Sequence, residues 1–465
     1  MIKVCILSDY REGFKSQIKN LSKNGDSKFI APSGEELSFE FRGFDEKPID
    51  CDYVLIINKT IKPHKVRARR VFALQQEPYI KESKQYGIPF KNEWAIKPET
   101  YAHCDVVFAF NEGLFKAPCL EKVEFKTALD SVLDLDSALD SSLDSADFAL
   151  DSNVLKYGGN SQNGGGQQLD NTRFQHSNSP FLNSPATNPN QLTIQVASNP
   201  HSHEVDSPRK AKFHNTIFIK YPPMMYFLFA PNMPYNELCN LPIPRKIKEI
   251  SCIASFDKKA FAGHLDRMKF VKALQNSHLG DKIDFYGNKT PNELAEKKDG
   301  ILPYKYTIAI ENNAQSDYFS EKIMDAYLGY AMPIYFGAGN IERYFPKNSF
   351  IKIDIYNVED SIKRLENLLE SNFYEEHFGA ILEARRRVLE DYSMLESMGK
   401  EILKDYKTHK ETPKKEIFLK PYKRSLKTHI WRIALIIYYF FHRILNKGES
   451  KNKLKDLKSH PKATL

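Results

Sequence analysis

Short runs of wholly apolar residues, separated by longer polar stretches, recur in two series along this chain. The first series is Val4–Leu7, Tyr53–Ile57, Val71–Leu74 and Val106–Phe110, all rich in β-branched or aromatic residues. A strand that is apolar at every position, rather than at every second one, is buried on both faces, as in a parallel sheet covered by helices. The pattern resumes near Glu249. Strands are expected over Ile250–Ala254, Ile283–Tyr286, Tyr306–Ile310, Pro333–Phe336 and Phe350–Ile355, with helices over Gly263–Ser277 and Ser320–Leu328. Asn357 and Asp360 are start signals for a further helix reaching Leu369. Two such series imply two α/β domains facing each other across a cleft, with ligands at the C-terminal ends of the strands.

The material between them is different. Thr127–Asn153 is an irregular reiteration of Leu-Asp-Ser units, followed by a Gly/Asn/Gln/Ser/Pro-rich tract to about Pro208. The leucines keep neither a helical nor a strand period, so no face is available for burial, and a disordered acidic loop is expected. An Asp-x-Asp sequence, Asp134-Leu135-Asp136, falls inside it. Such a pair can hold a divalent ion on a diphosphate, but here it arises from the repeat itself.

Beyond Pro421 the composition changes again, to eleven Lys or Arg against two acidic residues. The apolar run Ile433–Phe441 would make a helix of only ~14 Å, too short to cross a bilayer. With Trp431, Tyr438, Tyr439, Phe440 and Phe441 flanked by Lys427, Arg432, Arg443 and Lys447, residues 421–447 suit the interface of an anionic membrane leaflet. The alternative is a helix docked on the protein's own core. No nucleic-acid recognition motif accompanies the basic residues, so nucleic acid is not an expected partner. No long apolar leader or spanning segment stands out, and the six cysteines lie far apart with no CxxC pair. That usage suits a reducing compartment and argues against a disulfide scaffold or structural zinc. A cytoplasmic protein, peripheral on the inner face of the membrane, is expected.

The densest chemistry lies in Tyr304–Phe350. A buried strand delivers Glu311 and Asn312 at its C-terminal end. Ser320-Glu321-Lys322 then opens a helix whose free N–H groups and dipole attract anions. Lys322 adds a full positive charge for a diphosphate, and the Glu321 carboxylate suits paired sugar hydroxyls. The plainer reading makes Ser320 an N-cap and Glu321 a first-turn acid that complements the helix dipole.

The whole stretch closely resembles the donor-site motif of the family 10 glycosyltransferases, the α1,3/α1,4-fucosyltransferases. The matching features are Ile310-Glu311-Asn312, Tyr318-Phe319-Ser320-Glu321-Lys322, Pro333-Ile334-Tyr335-Phe336-Gly337 and Pro346-Lys347-Asn348-Ser349-Phe350, with Ile310 replacing the usual Phe and Ser320 the usual Thr. A second match is Ser255–Leu274, where Arg267, Phe270, Ala273 and Leu274 reproduce the spacing of the family's phosphate-binding arginine helix; His264 there reads as a loop or capping residue. The resemblance implies that Glu321 contacts donor sugar hydroxyls, Arg267 and Lys322 the diphosphate, and that Asn312 and Tyr318 shape the nucleotide pocket. It also implies a catalytic carboxylate after a strand of the first domain. Arg69–Pro78 is similar to that element, one residue out of register, and assigns the base to Glu77, which could otherwise be a turn acid before Pro78.

The resemblance implies a GT-B architecture of two Rossmann-like α/β domains. The expected divisions are 1–118 as the acceptor-side domain, 119–213 as a low-complexity insertion, 214–246 as its return and linker, 247–405 as the nucleotide-sugar domain, and 406–465 as the basic aromatic tail. The expected reaction is an inverting transfer of fucose from GDP-fucose to a GlcNAc-containing surface glycan of lipopolysaccharide type or on a lipid carrier, most simply in α1,3-linkage. No metal or other cofactor is expected. Two alternatives remain open: another nucleotide sugar as donor, and a non-catalytic glycan- or nucleotide-binding protein.

Overall fold

A computed structural model of the protein describes residues 1–10, 14–43, 47–76, 98–110, 124–126, 192–195, 216–223, 229, 233–254, 262–287, 292 and 294–421. Eleven strands precede the linker: β1 Ile2–Ser8, β2 Lys28–Ile30, β3 Glu36–Phe41, β4 Ile49–Asp50, β5 Tyr53–Ile57, β6 His64–Ala68, β7 Arg70–Leu74, β8 Val106–Ala109, β9 Glu124–Lys126, β10 Leu192–Gln195 and β11 Ile217–Lys220. Nine of them form one sheet in the order β2-β3-β1-β5-β7-β8-β11-β10-β9. Its centre, β3 through β11, is parallel. The wholly apolar runs are therefore the inner strands, and every residue of β5 and β8 is buried.

The second unit contains β12 Lys248–Ile253, β13 Ile283–Tyr286, β14 Tyr304–Ile310, β15 Met332–Phe336 and β16 Ile351–Lys352. They form an all-parallel sheet in the order β13-β12-β14-β15-β16. The chain runs from β12 outward to β13 by way of helix Ala262–Gln275, then returns to the other side of β12 as β14. Strand order thus reverses between β12 and β14, the kind of switch point at which open α/β sheets leave a crevice for a ligand. Both helix start signals hold. The Ser320 hydroxyl accepts from the Lys322 N–H before helix Glu321–Leu328, and the Asn357 side chain accepts from the Asp360 N–H before helix Val358–Leu369. The expected strand Phe350–Ile355 is shorter: it begins one residue later, after a 3-10 turn at Lys347–Ser349, and ends at Lys352, ahead of a turn at 355–356.

Three features depart from the sequence reading. The polar stretch after β5, between two apolar runs, contains a strand of its own: His64-Lys65-Val66-Arg67-Ala68 alternates buried and exposed positions as β6. Within 119–213, β9 and β10 add antiparallel strands to the sheet edge beside β11, so that span is not wholly structureless. The Leu-Asp-Ser repeat itself lies outside the described residues. Finally, the boundary at 405 cuts a continuous helix, Met394–His409, which crosses back to the first unit. There Gly399 lies flat against Phe29; a Cβ at that glycine would come within 2.4 Å of the ring. Tyr53 and Arg70 both donate to the Asp405 carboxylate, at 2.7 and 3.0 Å, and Arg69 donates to the carbonyls of Lys410 and Thr412. Strand β17, Lys415–Leu419, then pairs antiparallel with β6. Residues 406–421 therefore belong to the fold of the first unit, and the remainder of the tail, 422–465, lies outside the described residues.

Candidate active site

The C-terminal edge of the second sheet gathers most of the expected donor residues at its switch point. Helix Ala262–Gln275 starts in direct contact with the end of β14: a Cβ on Gly263 would lie 1.7 Å from the Asn312 carbonyl oxygen, so only glycine permits the approach. That contact brings Arg267 to Asn312, whose side-chain oxygen accepts from a guanidinium N–H at 3.0 Å. Arg267 is buried, and its Nε has no partner among the described residues. Burial lowers its pKa, as expected for a cation taken out of water, yet a guanidinium stays charged. A buried cation with an unused donor is suited to an anion entering the crevice.

Glu311, the last residue before Asn312, is the organising acid of the site. Its side chain is buried and accepts from the Ser320 backbone N–H at 2.7 Å, from the Ser320 hydroxyl, and from the Lys322 ammonium at 3.1 Å. The carboxylate thereby ties the end of β14 to the start of helix Glu321–Leu328 across the intervening loop. Lys322 also contacts Glu321 at 3.3 Å and the Ser320 hydroxyl at 2.8 Å. Burial would lower the Lys322 pKa, but Glu311 and Glu321 raise it further than burial depresses it. Lys322 is thus a paired cation, shared between two carboxylates, rather than a bare charge waiting for phosphate. Lys297 adds a second cation near Glu321 while pairing with Asp325 at 2.6 Å.

Burial would raise the Glu321 pKa; Lys322, Lys297 and the Ser320 hydroxyl outweigh it and bring the group from its ordinary 4.5 down to about 2. A depressed carboxyl contributes stability that is fully present above its unfolded value and is lost as pH falls through its folded value. The shift corresponds to at most about 3 kcal/mol, with the Lys322 contact counted once for both partners. Unfolding free energy is therefore expected to fall as pH drops from about 4.5 toward 2, and Glu321→Gln should flatten that fall. Urea titrations of both proteins across this range check it; an unchanged acid limb in the variant would refute the assignment.

Tyr318 lies in the same loop but makes its ring contact elsewhere. Its ring packs at 5.4 Å on Phe110, the residue just past β8 of the first unit. The preceding Asp317 adopts a left-handed backbone with φ 62° and is buried. Its carboxylate accepts from Tyr344 at 2.6 Å and Asn340 at 2.7 Å, and pairs with Lys220 of β11 at 2.6 Å. Of the six expected site residues, Arg267, Asn312, Glu321 and Lys322 converge, Tyr318 joins through the loop, and Glu77 lies outside the described residues. Its predecessor Gln76 is anchored beyond β7 by the Asn58 side chain, which accepts its N–H at 2.8 Å.

Glu311, Asp317, Lys220 and Phe110 carry structural roles that sequence reasoning did not assign. For Glu311 a signal existed: an acid ending an otherwise buried strand needs a partner, and Lys322 lies eleven residues on. Lys220 and Phe110 belong to strand ends of the other unit, which no local pattern connects to the loop. Among the described residues, no group of three or more His, Cys, Asp or Glu could hold a metal ion. Asp134 and Asp136 lie outside them.

Residues 243–410 match the family model of the C-terminal domain of glycosyltransferase family 10 (fucosyltransferase). Similar curated proteins include alpha-(1,3)-fucosyltransferase FucT of Helicobacter pylori, 32% identical over 76 residues, 16% of each chain. The 4-galactosyl-N-acetylglucosaminide 3-alpha-L-fucosyltransferase FUT6 of Homo sapiens is 30% identical over 102 residues, 21% of this chain and 28% of that one. A fucosyltransferase-like protein of Arabidopsis thaliana is 30% identical over 106 residues, covering 22% of this chain and 20% of its own. The matches thus span 16% to 28% of these relatives' lengths. A solved alpha1,3-fucosyltransferase with GDP aligns over 84% of this chain and 90% of its own at 13% identity, with a TM-score of 0.35. The family match takes in β12 through β16 and each of the converging residues Arg267, Asn312, Glu321 and Lys322. Residues 243–410, with Arg267, Asn312, Glu321 and Lys322 among them, are thus similar to the C-terminal domain of glycosyltransferase family 10, the fucosyltransferase family.

Proposed function

We propose that the protein transfers fucose from GDP-fucose to a glycan hydroxyl. The observation that carries this reading is the convergence of Arg267, Asn312, Glu321 and Lys322 at the switch point of a family 10 domain. In the proposed step the acceptor oxygen attacks the anomeric carbon as the bond to the diphosphate breaks. Configuration inverts, Glu77 takes the acceptor proton, and GDP leaves carrying the electron pair. Arg267, Lys322 and the N-terminus of helix Glu321–Leu328 stabilise the charge that appears on the diphosphate. The acceptor would be a GlcNAc-containing surface glycan of lipopolysaccharide type or on a lipid carrier, fucosylated in α1,3-linkage. Incubation with GDP-fucose and N-acetyllactosamine acceptors should release GDP and give a product heavier by one deoxyhexose. If GDP-mannose or UDP-sugars are used instead, the donor assignment fails; if no donor yields product, the catalytic reading does.

Such acceptors reside on membranes, and residues 421–447 supply the basic and aromatic residues for reaching them, with the enzyme peripheral on the cytoplasmic face. Among the described residues, no helix is long and apolar enough to cross a bilayer. Strand β17 and the Thr60–Lys420 hydrogen bond fix the point at which the tail leaves the first unit. Truncation should therefore keep β17. Ending the chain at residue 421 is expected to abolish binding to anionic vesicles while leaving transfer to a small soluble acceptor intact. High salt should weaken vesicle binding of the full chain only in part, since apolar burial survives screening. Cosedimentation of the truncated protein equal to that of the full chain would remove the tail as the anchor.

A further inference from the structure

We infer that Lys220 and Phe110, both in the first unit, are positioning residues that hold the donor loop of the second unit in its binding conformation. The two lie at the C-terminal ends of β11 and β8, which are neighbours in the sheet, with Lys220 registered against Ala109. Their two partners, Asp317 and Tyr318, are consecutive in the loop between β14 and helix Glu321–Leu328. Adjacent strand ends of one unit thus grip adjacent residues of the other. The loop is fixed at its ends by Glu311, which binds both Ser320 and Lys322. Between those ends, Asp317 is its charged anchor. Its left-handed backbone is sparsely populated for a residue with a side chain, and it persists because Tyr344, Asn340 and Lys220 all bind the carboxylate. Of these, and among the described residues, only the Lys220 bond comes from the other unit. Without it, Asp317 is a buried carboxylate facing neutral donors and a distant Arg343 at 3.8 Å, a costly arrangement that favours rearrangement of the loop.

The inference rests on reading this loop as part of the nucleotide-sugar site. It makes the second unit's affinity for its nucleotide depend on contact with the first, so that the two units must be docked for the donor to bind well. Titration calorimetry with GDP on the full chain tests it. Lys220→Met should weaken GDP binding about tenfold, as when the competent loop is populated about a tenth of the time. In turnover assays the donor KM should rise by a similar factor with kcat nearly unchanged, because Lys220 does not touch the reacting atoms. Lys220→Arg, which keeps the charge, should restore the affinity. In an Asp317→Asn background, Lys220→Met should have no further effect on GDP binding, since their contact is already broken. If Lys220→Met does not fold, Lys220→Gln and Phe110→Leu are measured in its place with the same expectation. Wild-type protein that fails to bind GDP would overturn the nucleotide-site reading itself. Wild-type binding with unchanged affinity in the folded variants, or additive effects of Lys220→Met and Asp317→Asn, would overturn the positioning role alone.

Discussion

Arg267→Ala is expected to lower kcat by at least ~100-fold, the loss typical when one charge partner of a developing anion is removed. Lys322→Ala should cost as much, but through a different route that can be separated from the first. Arg267 donates to Asn312, and its Nε has no partner among the described residues, so its removal breaks one neutral contact and deletes a donor that those residues leave unused. Lys322 compensates Glu311, whose side chain is fully buried, as well as Glu321. Deleting it strands a buried carboxylate, a change that typically costs about 3–5 kcal/mol of stability. Thermal unfolding should therefore separate the two variants: Arg267→Ala close to the parent, Lys322→Ala well below it. Arg267→Lys should recover only part of the rate, because an ammonium cannot reproduce the fork that, on the proposed reading, would span Asn312 and a phosphate oxygen. Parental turnover in a folded Arg267→Ala protein would remove the diphosphate from this crevice.

The inner strands and the donor helix were legible in sequence for one physical reason: they are determined locally. β5 is a wholly apolar run, β13 alternates buried Ile283 and Phe285 with half-buried Asp284 and Tyr286, and both appear with the expected bounds. Ser320 and Asn357 cap their helices through hydrogen bonds that reach only two or three residues ahead. The family motif singled out both Arg267 and Asn312, which 45 residues of sequence separate. What was not legible depends on distant partners. His64–Ala68 is charged at alternate positions and becomes a strand because β17, about 350 residues later, pairs with it. Helix Met394–His409 has an ordinary amphipathic pattern, and its packing on the first unit shows only through distant partners, Phe29 against Gly399 and Tyr53 and Arg70 on Asp405. Lys220 and Asp317 each look like a solvated surface charge until two sheets from opposite halves of the chain are brought together.

Glu77→Gln is expected to reduce kcat by about 10²–10⁴-fold with little change in donor affinity, the range for removing a positioned general base. Strand β7 lies at the middle of the nine-stranded sheet, and the chain leaves it at the C-terminal edge. Gln75 is fixed there by donating its N–H to the Phe108 carbonyl, and Gln76 by donating to Asn58. β8 is the next strand, about 4.8 Å away, and Phe110 beyond its end packs on Tyr318 of the donor loop. Gln76 therefore stands at the strand end beside the one that meets the donor loop. The substitution keeps size and hydrogen-bonding shape while removing the basicity, so folding and GDP binding should be unaffected. The pH dependence gives a second readout of the same role. A base works only when deprotonated, so kcat/KM of the parent should fall as pH drops through the pKa of Glu77, and this acid limb should vanish in the residual activity of Glu77→Gln. A variant with parental turnover, or one that retains the limb, would shift the role of base to another carboxylate of the first unit and leave Glu77 as the turn acid before Pro78.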